Sequence, residues 1–282
     1  MELWYAIVDL LPFEWAESGS MYFMKNALLA VLIMGPLFGL LSTMVVTGRM
    51  SFFSDALGHS GFTGIAIGVL CGAASPTWFA VALAVAFALL FSYVKSRTNQ
   101  AAETVISVFS STAVALGIFI ATMNGSSFTK FNKYLIGDIL SVTPGEIGLL
   151  AAVLLAVIVL WIFASNRLVL TAVHPQLASS RGIPVRGYET LFTVSIAVVV
   201  TLAMSWVGLM VINSLLVLPA AAARNVARNL REYHLFSVVL ALIAGVAGLV
   251  TSYYLGSSTG AVISLYLAVF FAVTFLFRKR RA

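Results

Sequence analysis

Nine long apolar segments make up most of this 282-residue chain, and they constrain its fold more than any other feature. A membrane-spanning helix needs about 20 mainly apolar residues, so nine spans would take about 180 residues. Hydrophobic residues make up 61% of the chain and charged residues 9%, with a mean hydropathy of +1.04. A soluble domain carries about 25% charged residues. The composition therefore excludes a cytosolic enzyme, a secreted domain and a disordered chain, and it predicts an all-α polytopic transmembrane helical bundle.

The predicted spans form one transmembrane domain over residues 21–282. Segments six and seven are separated only by Ser205 and Trp206, so they form either a tight hairpin or one broken element. The predicted number of spans is therefore eight or nine. The segments cover residues 21–46, 52–72, 77–95, 103–123, 146–164, 189–204, 207–223, 235–254 and 259–277.

The first twenty residues differ from the rest because they contain four acidic residues and no lysine or arginine. A secretory signal peptide begins with a basic region, so residues 1–20 are not one. Aromatic and leucine residues make this segment amphipathic, which predicts a helix lying on the outer membrane surface. A frayed tail is the alternative interpretation.

The distribution of basic residues predicts the orientation of the bundle. With the N-terminus outside, the inner loops contain thirteen basic residues and the outer side contains three. Cytoplasmic loops of membrane proteins are enriched in lysine and arginine. The pattern therefore predicts a cytoplasmic C-terminus, and it favours two separate crossings for segments six and seven.

Two ionisable side chains lie within the second apolar segment. Asp55 is the only acidic residue well inside an apolar segment, and His59 is the only histidine so placed. Ionisable residues within a span cost about 2.5–3.5 kcal/mol each, which favours a functional role. Residues four apart share one face of a helix. Counted from Arg49 at the inner surface, a continuous helix would place Asp55 about 9 Å and His59 about 15 Å deep.

A carboxylate and a neutral imidazole are suitable ligands for a divalent ion such as zinc, manganese or iron. Two protein ligands form an incomplete cage, which suits a pathway from which the ion must also leave. Two alternatives stay open from the residues alone. Asp55 and His59 could form a purely structural hydrogen bond, or they could belong to a proton relay.

Other polar residues carry weaker signals. Ser107, Ser110 and Ser111 in segment four, and Asn213 and Ser214 in segment seven, are expected to form hydrogen bonds between helices. His174 and His234 fall in the predicted inner loops, and both are expected to be ordinary exposed residues.

The inner loop 165–188 is the longest predicted cytosolic segment. Pro175 and Gly182 bracket about two turns of helix, because proline favours the first helical position and glycine follows the last. Such a helix could dock a soluble partner. The chain lacks the G-x-x-x-x-G-K-[ST] phosphate loop and every other catalytic pattern considered, so any ATP must be bound by another subunit.

Several motifs resemble those of one transporter family. Residues 49–66 resemble the pattern R-M-S-x-x-x-D-A-x-x-H-x-x-x-x-G-I-A of the permease subunits of metal-type ABC importers, which take up zinc, manganese or iron in bacteria. Residues 135–140 (LIGDIL), the L-A-x-x-x-G pattern of residues 177–182 and the V-G-L…P-A-A block of residues 207–224 agree with this family. The similarity extends from about residue 24 to residue 275. It leaves the choice of metal open.

The resemblance implies a permease of the type II ABC importer kind in the bacterial plasma membrane. It implies a second permease copy, two cytosolic ATPase subunits that bind ATP, and an extracytoplasmic metal-binding protein. No cofactor is bound permanently, since zinc, manganese or iron would be the cargo. Asp55 and His59 would line the metal pathway. The residues implied to dock the ATPase are Gln176, Leu177, Ala178, Arg181 and Gly182.

Two other classes of transporter stay open. One is an ABC importer for a metal chelate such as a siderophore or cobalamin. The other is a proton-coupled secondary carrier, and an intramembrane enzyme belongs to the same group of non-ABC alternatives.

Overall fold

The structure, a computed structural model, describes residues 2–10, 13–17, 21–73, 75–98, 100–123 and 137–277. All regular secondary structure in these ranges is helical, including a short 3-10 helix at Ile139–Ser141. The predicted all-α fold is therefore confirmed.

Twelve α-helices follow one another along the described chain, and nine of them are long. Two short helices come first and a third follows the seventh helix. In chain order the helices are α1 (Glu2–Val8), α2 (Glu14–Glu17), α3 (Tyr22–Thr47), α4 (Phe53–Leu70), α5 (Pro76–Arg97), α6 (Ala102–Thr122), α7 (Pro144–Val173), α8 (Pro175–Ser180), α9 (Val185–Val207), α10 (Leu209–Val226), α11 (Leu230–Leu255) and α12 (Thr259–Leu276).

Seven of the nine long helices are long and apolar enough to cross a membrane. Helix α4, which contains Asp55 and His59, is not among them, and α10 is an apolar helix of 18 residues. Predicted segments six and seven correspond to α9 and α10, which are separate helices joined by Gly208. Gly208 has a φ of 85°, which other residues rarely adopt, so the break lies at a glycine. Nine long helices, seven of them with the length and apolarity of a span among the described residues, are roughly consistent with the eight or nine spans predicted.

Glycines allow several helix pairs to approach closely. A Cβ atom on Gly39 of α3 would lie 2.6 Å from the Cα of Val238 on α11. A Cβ atom on Gly64 of α4 would lie 2.5 Å from the Cα of Ala80 on α5. Helices in a bilayer associate mainly through van der Waals packing, so such close approach stabilises the bundle.

Polar contacts reinforce the α3–α11 pair near one end of the bundle. The hydroxyl groups of Ser42 and Ser237 lie 2.9 Å apart. The Thr43 hydroxyl lies 2.8 Å from Nδ1 of His234, whose Nε2 is buried without a hydrogen-bond partner among the described residues. The ring of His234 contacts that of Trp161 on α7. The prediction that His234 is an ordinary exposed loop residue is therefore wrong, because α11 begins at Leu230 and includes it.

The N-terminal helices pack against the start of α3. The indole Nε1 of Trp4 donates to the carbonyl oxygen of Lys25 (2.9 Å), and the ammonium group of Lys25 pairs with Asp9. Lys25 and Trp15 are almost fully buried. These contacts attach the two helices to the bundle, whereas their location on the outer membrane surface stays a prediction.

The cytosolic loop predicted over residues 165–188 is shorter than expected. Helix α7 continues to Val173, nine residues beyond the predicted end of its span, and α9 starts at Val185. The sequence contains no proline or glycine between residues 165 and 173, so the first helix breaker is Pro175. At 1.5 Å per residue α7 is about 45 Å long, longer than the roughly 30 Å hydrocarbon core.

We expect Gly64→Val to destabilise the fold, because the added side chain would meet the α5 backbone rather than a movable side chain. Overpacking typically costs about 1–3 kcal/mol, and the detergent-solubilised protein should lose several degrees of melting temperature. Gly148→Ala on α7 is the matched control, since no atom lies within 4 Å of its Cβ position. An unchanged melting temperature for Gly64→Val would contradict the tight α4–α5 packing.

Candidate functional site

Helix α4 begins at Phe53, so Asp55 lies in its first turn. Residues 48–52 form a turn after α3 rather than a continuous helix. Asp55 and His59 therefore lie less deep in the bundle than the count from Arg49 predicts. From the start of α4, Asp55 is about 3 Å and His59 about 9 Å along the helix axis. The first turn of a helix has exposed N–H groups and a partial positive charge, which favours the Asp55 carboxylate there.

The structure brings Asp55 and His59 together on one face of α4. The Oδ2 atom of Asp55 lies 3.5 Å from the Nε2 atom of His59. Their side chains are 40% and 26% exposed in the single chain. Both groups are therefore accessible to an ion and are not sealed into the core.

Asn213 on α10 holds the Asp55 carboxylate in place. Its amide Nδ2 donates to Oδ1 of Asp55 (2.7 Å), and its Oδ1 accepts from the Ser54 hydroxyl (2.9 Å). The other carboxylate oxygen of Asp55 is the one that faces His59. The predicted interhelical role of Asn213 is thus observed, but its pairing with Asp55 could not be read from the sequence.

Thr63 fixes α4 against α6. Its hydroxyl, which is buried, donates to the carbonyl oxygen of Ala113 (2.7 Å). A Cβ atom on Gly117 would lie 2.7 Å from this hydroxyl, so the two helices are close here. Thr63 therefore positions α6 beside the Asp55–His59 face.

The serines of α6 do not form the interhelical hydrogen bonds expected from the sequence; none joins them to another described helix. Ser107, Ser110 and Ser111 instead line a groove of about 310 Å³ together with Asp55 and Glu103. Phe52 and Ile106 form its apolar part. The carboxylate of α4 therefore faces a groove with three hydroxyl groups and a second carboxylate in its lining.

Asp55 and His59 offer two potential metal ligands within one chain. Among the described residues, no group of three or more His, Cys, Asp or Glu side chains could hold a metal ion. A resident ion bound by one chain alone is therefore not supported by the described residues.

The short helix expected in the cytosolic loop is present as α8. Pro175 is its first residue, and Gly182 follows it with a φ of 73°. Ala178 is fully buried, whereas Leu177 is 44% exposed and Gln176 and Arg181 are also exposed. The helix thus rests on Ala178 and presents the other side chains to the surroundings. His174 is exposed, as predicted.

The helical bundle, with an accessible carboxylate–imidazole pair on α4, has the architecture of a polytopic transport permease. Residues 20–278 match the ABC 3 transport family, and the chain belongs to this family. It is a transporter permease subunit rather than an enzyme. As an ABC permease it is a multi-pass membrane protein that works with separate ATPase and substrate-binding subunits.

Several curated relatives cover nearly the whole chain. The manganese import system permease protein ScaB of Streptococcus parasanguinis is 29% identical over 262 residues, covering 92% of this chain and 92% of ScaB. The high-affinity zinc uptake system membrane protein ZnuB of Haemophilus influenzae is 25% identical over 255 residues, covering 90% of this chain and 97% of ZnuB.

Two solved structures are similar to this one. The structure described as PsaBC from Streptococcus pneumoniae in complex with Fab matches with a TM-score of 0.79 and 27% identity, covering 98% of this chain and 95% of that chain. An inward-facing ABC transporter described as of the metal-chelate type matches with a TM-score of 0.70 and 13% identity, covering 89% of this chain and 85% of that chain. At that identity the second match shows the fold alone.

We expect Asn213→Ala to reduce transport because the Asp55 carboxylate would lose the amide that orients it. Residues that orient metal ligands typically contribute 10- to 100-fold in affinity or activity. Uptake of radioactive manganese or zinc at limiting concentration should therefore fall at least tenfold. The control is Ser214→Ala, the next residue on α10. Equal uptake by both variants would show that Asn213 does not position Asp55.

Proposed function

We propose that this chain is the permease of an importer for a divalent zinc, manganese or iron ion, and that Asp55 and His59 bind the ion on its way across the membrane. The observation that carries the proposal is the 3.5 Å separation of Asp55 Oδ2 and His59 Nε2 on the accessible face of α4. The names of the relatives ScaB and ZnuB support the class of cargo, since one is called a manganese and the other a zinc permease.

The geometry of the pair suits coordination by one ion. Two ligand atoms bound at about 2.1 Å to a tetrahedral ion lie about 3.4 Å apart. The observed separation of 3.5 Å is close to this value. Asn213 already occupies Oδ1 of Asp55, so Oδ2 is the oxygen directed to the ion.

A second permease copy would complete the site. Most oligomers of identical chains are two-fold symmetric, and a symmetric pair would contribute Asp55 and His59 twice. Four ligands are enough to replace most of the hydration shell of a dication. Each half-site alone binds less strongly, so separation of the two halves would release the ion. This supports a homodimer with the ion on or near its symmetry axis.

The remaining parts of the importer follow from the family and from the orientation of the chain. Two ATPase subunits on the cytosolic side would contact α8 and the turn after it through the exposed residues Gln176, Leu177, Arg181 and Gly182, whereas the buried Ala178 would hold the helix against the bundle. An extracytoplasmic metal-binding protein would deliver the ion from outside. The N-terminus would lie outside and the C-terminus in the cytosol of a bacterial cell, as the thirteen inner basic residues favour.

The direct test is metal uptake by the assembled transporter in liposomes with its ATPase and delivery protein. We expect Asp55→Asn and His59→Gln each to reduce uptake of Mn²⁺, Zn²⁺ and Fe²⁺ at least tenfold, because each removes one ligand from both halves of the site. Comparison of the three ions in the unmodified protein identifies the preferred cargo.

Glu14→Gln provides the matched control for charge, since Glu14 is an exposed acid outside the site. Its uptake should equal that of the unmodified protein. Wild-type uptake by both site variants, with equal amounts of assembled transporter, would refute a role of the pair in transport. Uptake of a siderophore or cobalamin but of no free ion would instead favour a chelate importer.

A separate experiment tests α8. Leu177→Asp places a charge on the exposed apolar side chain of this helix, and we expect it to lower ATPase stimulation by the loaded delivery protein at least fivefold. Ser179→Ala, an exposed neighbour on the same helix, is the control. Undiminished stimulation in Leu177→Asp would contradict docking of the ATPase at α8.

A further inference from the structure

One half of helix α6 has a surface that does not suit contact with lipid. Glu103, Ser107 and Ser111 are exposed along its first two turns and a half. Farther along the same helix most of the exposed side chains are apolar, with Leu116 49% and Phe119 63% exposed. Ionisable side chains within a bilayer face a protein interior or a water-filled cavity rather than lipid. The two halves of α6 therefore face different surroundings.

The polar half of α6 faces the candidate ion site. Glu103, Ser107, Ser110 and Ser111 line one groove of about 310 Å³ with Asp55 of α4. Residues at positions i, i+4 and i+7 or i+8 share a helix face, so these four side chains form a single strip. The groove thus has a carboxylate of α4 on one wall and a carboxylate and hydroxyl groups of α6 on the other, beside the apolar Phe52 and Ile106.

The groove opens towards the cytosolic end of the bundle. Glu103 lies in the first turn of α6, and α6 starts shortly after α5 ends at Arg97. Basic residues at this end, Lys95 and Arg97, place it inside under the predicted orientation. His59, Asp55 and Glu103 therefore follow one another in the direction from the proposed ion site to the cytosol.

We infer that this strip is the release route of the ion, with Glu103 as an exit carboxylate; this rests on the proposed metal transport. The ligand it takes is a hydrated divalent cation. Hydroxyl and carboxylate oxygens hold such an ion together with water molecules, whereas the Asp55–His59 pair adds an imidazole nitrogen. The ion thus passes from a site with nitrogen and oxygen ligands to one with oxygen ligands alone, and rehydrates along the strip.

Glu103 also has a simpler possible role, since an acidic side chain in the first turn stabilises a helix through its dipole. The double variant Glu103→Gln/Thr104→Glu separates the two roles. The double variant keeps an acidic side chain in the first turn of α6. Position 104, however, is rotated about 100° around the helix axis from position 103 and does not line the groove.

The kinetic test uses the complete transporter in liposomes with Mn²⁺ and Zn²⁺. We expect Glu103→Gln and the double variant both to lower the maximal uptake rate five- to twentyfold with little change in KM, and Glu103→Asp to retain most of the rate. Asp55→Asn serves as the comparison, because we expect the loss of a ligand to reduce uptake at least tenfold. Two results would overturn the exit role of Glu103: a normal rate in the double variant, or full activity of Glu103→Gln while Asp55→Asn is inactive. Either result would leave the proposed function intact.

Cysteine labelling tests whether a water-soluble reagent can reach the strip from the cytosolic side. Cys71 is the only native cysteine and is replaced by serine first. Ser107→Cys and Ser111→Cys should then react with a cationic, water-soluble thiol reagent added from the cytosolic side, and the reaction should block uptake. Excess Mn²⁺ should slow the reaction. Leu116→Cys, which is also exposed in the single chain but lies on the apolar half, should stay unmodified. Equal reactivity at all three positions, or reaction without inhibition, would contradict the route.

Discussion

The hydrogen bond from the Asn213 amide to the Asp55 carboxylate is the interaction on which the site depends. A bilayer cannot solvate a carboxylate, so Asp55 is tolerated only where protein groups replace water. The start of α4 supplies a partial positive charge, and Asn213 supplies a donor from α10. Both helices are also largely buried among the other helices of the bundle. The site is therefore built from the elements that the rest of the bundle shields from lipid.

Much of the fold could be predicted because its signals are local. Long apolar segments and their flanking charges predicted a bundle of eight or nine spans, and the Pro175 and Gly182 positions predicted α8. The spacing of Asp55 and His59 placed both on one face of α4. These features depend on helix periodicity and backbone preferences, which a single sequence contains.

Other features depend on contacts between distant segments, and the sequence alone could not predict them. The pairing of Asn213 with Asp55 joins residues 158 positions apart. His234 is half-buried because α11 starts at Leu230 and packs on Thr43 of α3. The serines of α6 looked like hydrogen-bond partners for another helix, yet they line a groove, because the rotation of α6 is set by its packing on Thr63.

The position of α8 relative to the ion site has a mechanical consequence. Between Pro175 and Asn213 the chain consists of α8, α9 and the start of α10, and it turns at Gly182 and Gly208, both with positive φ. Helices move as rigid bodies, whereas a few residues between them absorb changes in backbone angle. Helix α9 also packs on α4, where Thr201 lies beside Gly61. A force applied to α8 by an ATPase subunit would therefore reach Asn213 through one rigid helix and one glycine. Because Asn213 orients the Asp55 carboxylate, a small rotation of α10 is enough to change the ligand geometry, which is how ATP binding on the cytosolic side could alter affinity for the ion.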